Sequence, residues 1–152
     1  MTAQRASPAP LRSDQVTVRR AGRGDVHVIA QLWERAGLPP SSRGFRNEIA
    51  RLRRRDPELV IIALMDAQIV GAIAGSYDGR TAMLSRLAVE ERARRRGVGR
   101  RLVSALQEQM VELGALTDEL VVLDGGERAD AFWRALGFDR GSTAAYVVRE
   151  RR

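Results

Sequence analysis

The chain has no cysteine, no lysine and a single histidine among its 152 residues. Without cysteine there is no disulfide framework, no thiolate nucleophile and no cysteine-based metal site. With only His27, between Val26 and Val28 early in a helical segment, a Ser-His-Asp triad or a multi-histidine metal centre has one residue to build on, and an ordinary helix histidine is the simpler reading. Lacking lysine, the chain cannot form a Walker A loop, which needs G-x-x-x-x-G-K-[ST], and has no lysine of its own to be acylated. Long apolar runs are missing too: none approaches the roughly 20 residues that span a bilayer. The start, MTAQRASPAPLRSD, has no apolar segment of a secretory signal. The expectation is therefore a disordered tail over 1–14 and a cytoplasmic protein that uses no membrane. Aromatics make up only 5% of residues, so a base-stacking surface has little to draw on.

What is present is 44% hydrophobic and 30% charged, the balance of a folded domain, and the length suits one core over 15–152. The net charge of +7 is uneven. One basic island is spread over residues 1–60, and a denser one lies at 92–101 within ERARRRGVGRRL, which holds six arginines and two glycines. Islands on a near-neutral body indicate local anion sites more than a general polyanion coat.

Periodicity divides the chain. QVTVRR (15–20) alternates as a strand. Asp25 is a candidate N-cap for a helix with Val28, Ile29, Leu32 and Trp33 on one face, stopped near Gly37 and Pro39-Pro40. Phe45, Ile49 and Leu52 mark a second amphipathic helix whose other face carries Arg43, Arg46, Arg51 and Arg53 to Arg55. ELVIIALM (58–65) and QIVGAIAGSY (68–77) read as an antiparallel hairpin across Asp66-Ala67, and TAMLSRLAVE (81–90) as the next strand. Positions 98, 102, 106, 110 and 113 hold a helical period that Gly114 closes. ELVVL (119–123) is a short strand; 127–136 is a helix with Ala129, Phe132, Trp133 and Leu136 on one stripe; 142–149 is a last strand, with 138–140 a short one before it. The order β-α-α-β-β-β-α-β-α-β(-β) specifies an α/β (α+β) fold, a mixed central sheet of six to seven strands with about four helices on both faces.

At 81–102 a strand runs through a glycine-punctuated turn into a helix. Unpaired N–H groups at such a helix start, with the positive end of its dipole, make an anion site. Glycines at 97 and 99 would let the backbone close on a phosphate group. The Rossmann fingerprint G-x-G-x-x-G fails, because Leu102 stands three after Gly99. What remains is Arg94-x-x-Gly97-x-Gly99 after a strand ending Leu87-Ala88-Val89. A solvated charged turn and a nucleic-acid-binding arginine run are the competing readings; the latter lacks interleaved aromatics, so no nucleic-acid partner is expected.

This combination resembles the GNAT superfamily of acyl-CoA-dependent N-acetyltransferases, in particular its small bacterial single-domain members, whose signature at this turn is [Q/R]-x-x-G-x-[G/A]. The late run A-x-x-F-W-x-x-x-G-F from Ala129 to Phe138 is similar to a second family motif, N-x-x-A-x-x-[FL]-Y-x-x-x-G-[FY]. The resemblance implies acetyl-CoA as co-substrate and no metal. It maps the pyrophosphate cradle to Arg94, Arg95, Arg96, Gly97, Val98, Gly99 and Arg100, and maps pantetheine pairing and the amide facing the thioester carbonyl to Leu87, Ala88 and Val89. Gly126 takes the place of the family's asparagine. Trp133 stands where many members have a tyrosine general acid; its indole N–H donates but does not usefully ionise. Because the strand lacks the glutamate many members carry, base candidates come from strand ends: Asp78, Ser85, Asp124 and Glu119, with Tyr77 and Tyr146 of the same standing and a turn or solvent role competing for each. The implied activity is acetyl transfer from acetyl-CoA directly to a primary amine of a small molecule or a protein or peptide. The alternative is a catalytically degenerate GNAT-fold module that binds CoA or a partner. Family members are often dimers, which adds a homodimer to the expectations.

Overall fold

The Val- and Ile-rich segments form interior strands of the sheet, with both their faces covered. The computed structural model of the chain describes residues 15–38, 40–121, 126–140 and 145–150; the expected tail at 1–14 and Pro39 lie outside them. β1 (Thr17–Arg20) pairs antiparallel with β2 (Val60–Met65), β2 with β3 (Gln68–Tyr77) and β3 with β4 (Thr81–Val89). Asp66 and Ala67, which join β2 to β3, both have positive φ (50° and 62°), the backbone of a two-residue hairpin turn whose twist matches the strands. β5 (Thr117–Val121) runs parallel to β4, β7 (Ala145–Glu150) antiparallel to β5, and β6 (Phe138–Arg140) antiparallel to β7. The strand order is β1-β2-β3-β4-β5-β7-β6. Between the strands come α1 (Val26–Arg35), α2 (Phe45–Arg55), α3 (Val98–Leu113) and α4 (Gly126–Ala135), in the order the periodicity specifies. Among the described residues no helix is long and apolar enough to cross a membrane.

Alternation along the strands sorts the core into two layers. Val60 and Ile62 face α1 and α2 and pack with Ile29, Trp33 and Ile49. Ile61 and Ala63 face the other way, into a cluster with Leu102, Leu106, Met110, Trp133 and Phe138. α3 buries Val98, Leu102, Val103, Leu106 and Met110. Leu113, expected on the same stripe, stands in the last turn and is 37% exposed. Arg53 also departs from expectation: its Nε donates to the Ala21 carbonyl at 3.0 Å, so this one arginine of α2 turns inward to the end of β1. Asp25 precedes α1 but does not cap it with its side chain. The carboxylate instead accepts from the Gly22 N–H at 2.6 Å and from Arg19 Nη1 at 2.7 Å.

Two glycines fix how closely α3 lies on β3. A Cβ at Gly71 would come within 2.9 Å of Leu102 Cδ1 and 3.1 Å of Val98 Cγ1, and one at Gly75 within 2.6 Å of Met110 Cε. The close approach sets the start of α3 beside the end of β4. Gly71→Val should therefore cost about 1–3 kcal/mol in urea unfolding, whereas Gly24→Ala, with nothing within 4 Å of the added Cβ, should be near neutral. The bond from Arg19, helped by the Gly22 N–H, holds the Asp25 carboxyl below its usual range. Its contribution is thus present above the unfolded carboxylate value of about 3.9 and is lost as pH falls through the lower folded value. Asp25→Asn should lower stability at neutral pH and flatten the pH dependence of unfolding below about pH 4.

Candidate functional site

The site begins with an irregularity in β4. Ala74 pairs with Ser85 and Ala72 with Ala88, so β4 has one residue more than β3 across this interval. Arg86 lies within the extra length at φ 60°, the left-handed region, which costs a non-glycine residue about 1–2 kcal/mol. An extra residue reverses the facing of the side chains beyond it. Ala82 and Leu84 face the α3 layer before the bulge; after it Leu87 and Val89 do, and Ala88 joins the α1–α2 layer. On its other edge β4 pairs with β5 only from Thr81 to Leu84. From Ser85 to Val89 that edge has no strand partner among the described residues. Among the described residues, β4 thus ends in a stretch bonded to β3 on one side and open on the other.

The open edge leads straight into the turn. After a single turn of 3-10 helix at Glu91–Ala93, Arg95 and Gly97 both take positive φ (64° and 75°), and α3 starts at Val98. The first intrahelical bond runs from Arg101 N–H to Gly97 O, so the N–H groups of Val98, Gly99 and Arg100 have no acceptor within the helix. The two glycines have different reasons. Gly97 needs its left-handed backbone and faces open space. Gly99 is a packing glycine, since a Cβ there would lie 3.1 Å from Phe132 Cζ. Phosphate approach was the reason expected for both; close packing against α4 is what the structure shows for Gly99.

The arginines of 91–102 separate by partner. Arg92 donates to Gln68 Oε1 at 2.6 Å, Arg94 Nε to the Val89 carbonyl at 3.3 Å, and Arg101 to the Val16 carbonyl. Arg94 therefore ties the turn to the strand it leaves. Arg95 and Arg100 are exposed, and Arg96 is partly buried. Glu90 at the start of the turn is ion-paired with Arg35 at the end of α1.

The remaining candidates scatter. Trp133 is 5% exposed, edge-on to Phe132 (4.9 Å) and Phe138 (5.3 Å); it is a core residue, and it is Phe132 that borders the turn. Gly126 opens α4. Ser85 lies at the mouth of the open edge and its Oγ donates to the Ala74 carbonyl at 3.4 Å. Asp78 is not brought to the site. The eight steps of β4, at about 3.3 Å each, put it roughly 25 Å from Val89. Its Oδ1 accepts from Thr81 and Arg80 N–H at 2.7 and 2.9 Å, which holds the carboxyl below its usual range and makes it a turn-former and a poor base. Tyr77 shares that far end, its hydroxyl beside Gly114. Glu119 lies in β5 opposite Met83, and Tyr146 in β7 opposite Leu120. Asp124 lies outside the described residues.

Sequence reasoning missed a pair on the opposite face of the open edge. Arg86 Nε and Nη2 both reach Glu48 Oε1 of α2 at 3.1 Å, with side chains 15% and 19% exposed. The Arg86 guanidinium also lies 6.0 Å from the Phe45 ring centroid, and Phe45 stands edge-on to Trp33. Among the described residues Glu48 Oε2 is buried without a hydrogen-bond partner, a state that costs about 1–3 kcal/mol or more for a charged group. The available signal was the shift of apolar parity in β4, from Ala82 and Leu84 to Leu87 and Val89. The packing reading of Gly99 makes a prediction: Gly99→Ala and Phe132→Ala should be coupled in a double-mutant cycle of unfolding free energies by about 0.5–3 kcal/mol. Gly97→Ala should show no coupling to Phe132.

Comparison with known proteins adds identity to this geometry. The model of the Acetyltransferase (GNAT) family matches residues 26–138. An acetyltransferase of Pectobacterium atrosepticum is 27% identical over 115 residues, 76% of this chain and 82% of that protein. Among solved structures, Ard1 of Thermoplasma volcanium superposes with a TM-score of 0.76 at 26% identity, covering 90% of this chain and 99% of that one. The PaiA N-acetyltransferase of Thermoplasma acidophilum, solved in complex with coenzyme A, has the same fold at a TM-score of 0.72 and 18% identity, covering 87% of this chain and 96% of that one. With an open strand edge feeding a glycine turn and a helix N-terminus, the chain belongs to the GNAT acetyltransferase family and is an acyl-CoA-dependent acetyltransferase.

Proposed function

We propose that the chain moves the acetyl group of acetyl-CoA directly onto a primary amine, with the open edge of β4 and the turn after it as the CoA-binding wall. The observation that carries this is the parting of β4 from β5 after Leu84, beside a helix start whose N–H groups have no internal acceptor. A pantetheine arm, which contains two amides, suits the backbone groups of Leu87 to Val89 that point away from β3, apart from the Val89 carbonyl that Arg94 takes, as an added strand suits a sheet edge. The pyrophosphate suits the N–H groups from Gly97 to Arg100 and the dipole of α3, with Arg95 and Arg100 adding favourable potential. Acetyl-CoA supplies an activated acyl thioester; an amide N–H of the β4 end aimed at its carbonyl stabilises the charge that develops there. No covalent intermediate on the protein is needed. Trp133, packed in the core, is not a proton donor, so the departing sulfur takes its proton from water or from the amine itself.

The second reading, a module that binds CoA without turnover, draws on Trp133 at the position of the usual tyrosine. Release of free thiol from acetyl-CoA, followed over a panel of primary amines, separates the two: turnover with one or more amines is expected, and tight binding with no thiol release sinks the catalytic reading. Binding itself should depend on turn geometry more than on charge. Gly99→Val should abolish acetyl-CoA binding, by displacing Phe132 and distorting the start of α3, while Arg92→Ala, whose side chain is engaged with Gln68, should leave it unchanged. Equal loss from both would make the charge run the site.

A further inference from the structure

We propose that Glu48 binds the ammonium of the acceptor and takes its proton, with Arg86 as the residue that positions it; this rests on the amine-transfer reading above. Three observations converge. Glu48 Oε1 receives Nε and Nη2 of Arg86 at 3.1 Å, which fixes the carboxylate, while Oε2 is buried and has no partner among the described residues. A fixed, water-poor carboxylate oxygen with an unused lone pair is a receptor for a cationic N–H donor. Arg86 holds a left-handed backbone within the β4 bulge, inside the stretch that has left β5, and the same bulge turns Ala88 toward the α1–α2 layer. Glu48 therefore stands on the α1–α2 side of the strand end, and the CoA turn follows that same strand end with Leu87 and Val89 on the α3 side. A primary amine approaching the open edge from the α1–α2 side meets Glu48 as it reaches the strand end where the thioester would lie.

The chemistry balances. Oε2 takes one proton from the R–NH3+ group, leaving a neutral amine. The amine nitrogen bonds to the thioester carbonyl carbon, the C–S bond breaks, and the sulfur leaves with its electron pair. Of the two protons the nitrogen loses, one ends on the CoA thiol and one in solvent, and the Glu48 carboxylate is restored. Arg86 touches neither reactant; it holds the oxygen in place.

The test uses the full chain, acetyl-CoA and a pool of tetrapeptides with free amino termini bearing every common first residue, together with L-lysine and 1,3-diaminopropane. Acetylated products are read by mass, and the best acceptor is taken into kinetics. Glu48→Gln keeps an oxygen for Arg86 and so preserves a merely structural tether. It should retain the thermal midpoint and acetyl-CoA affinity of the wild type and lose about 100-fold or more in kcat/KM for the amine. Glu48→Asp should recover part of the loss. If Glu48→Gln acetylates as the wild type does, Glu48 is a tether and the proposal fails while the transfer reading stands. A wild type that binds acetyl-CoA but acetylates nothing in the pool overturns the Glu48 assignment together with amine transfer, and one that does not bind acetyl-CoA overturns the CoA reading itself. Loss of thermal midpoint or CoA affinity in Glu48→Gln would assign the residue to folding and overturn its role in catalysis.

Discussion

β4 has one residue more than its neighbour between the Ala74–Ser85 and Ala72–Ala88 pairs, and most of the site depends on where that residue is stored. Arg86 absorbs it at positive φ. The strand bends, the facing of its side chains reverses, and pairing with β5 ends at Leu84. A regular β4 would keep the facing of its side chains and the pairing with β5 past Leu84, whereas among the described residues Ser85 to Val89 have no partner on that edge. Local backbone strain of about 1–3 kcal/mol is the kind of cost a functional site retains when surrounding packing holds it in place. Here the packing is the bond pair to Glu48 and the ring of Phe45, both on α2.

The same strand end organises the electrostatics. Arg94 returns to the Val89 carbonyl, Arg92 and Arg101 are committed to Gln68 and Val16, and Glu90 is paired with Arg35. Much of the apparent charge of 91–102 is thus spent on shaping the turn. What remains is a short array of N–H groups without an acceptor in the helix, with the exposed Arg95 and Arg100 beside it, a geometry for one compact anion more than for a polyanion. α3 is held to that position by Gly71 and Gly75 beneath it and by Phe132 against Gly99.

The order of elements was legible because each depends on local signals. The Val- and Ile-rich runs of β2 and β3, the i, i+4 stripe of α3, and Gly37, Gly114 and Gly137, all at positive φ where helices stop, are readable without tertiary information. The turn was legible from R-x-x-G-x-G because glycine is required there by backbone conformation and by close packing. The bulge left only the parity shift from Ala82 and Leu84 to Leu87 and Val89, blurred by Met83 and Ala88, because its left-handed residue is an arginine and not the glycine that usually marks such a position. Glu48 and Arg86 stand 38 residues apart, and no local pattern joins them. Asp78 was misleading for the opposite reason: an acidic residue at a strand end has a local use, binding the N–H groups of Arg80 and Thr81, and that use claimed it.

The central claim is that CoA binds along the open end of β4 and over the start of α3. Amide hydrogen exchange, compared with and without acetyl-CoA, reports on those backbone groups directly. Slowed exchange is expected at residues 87–89 and 97–100, with the exposed arginine face of α2 unchanged. Protection absent from these two segments, or appearing along α2 instead, would contradict it.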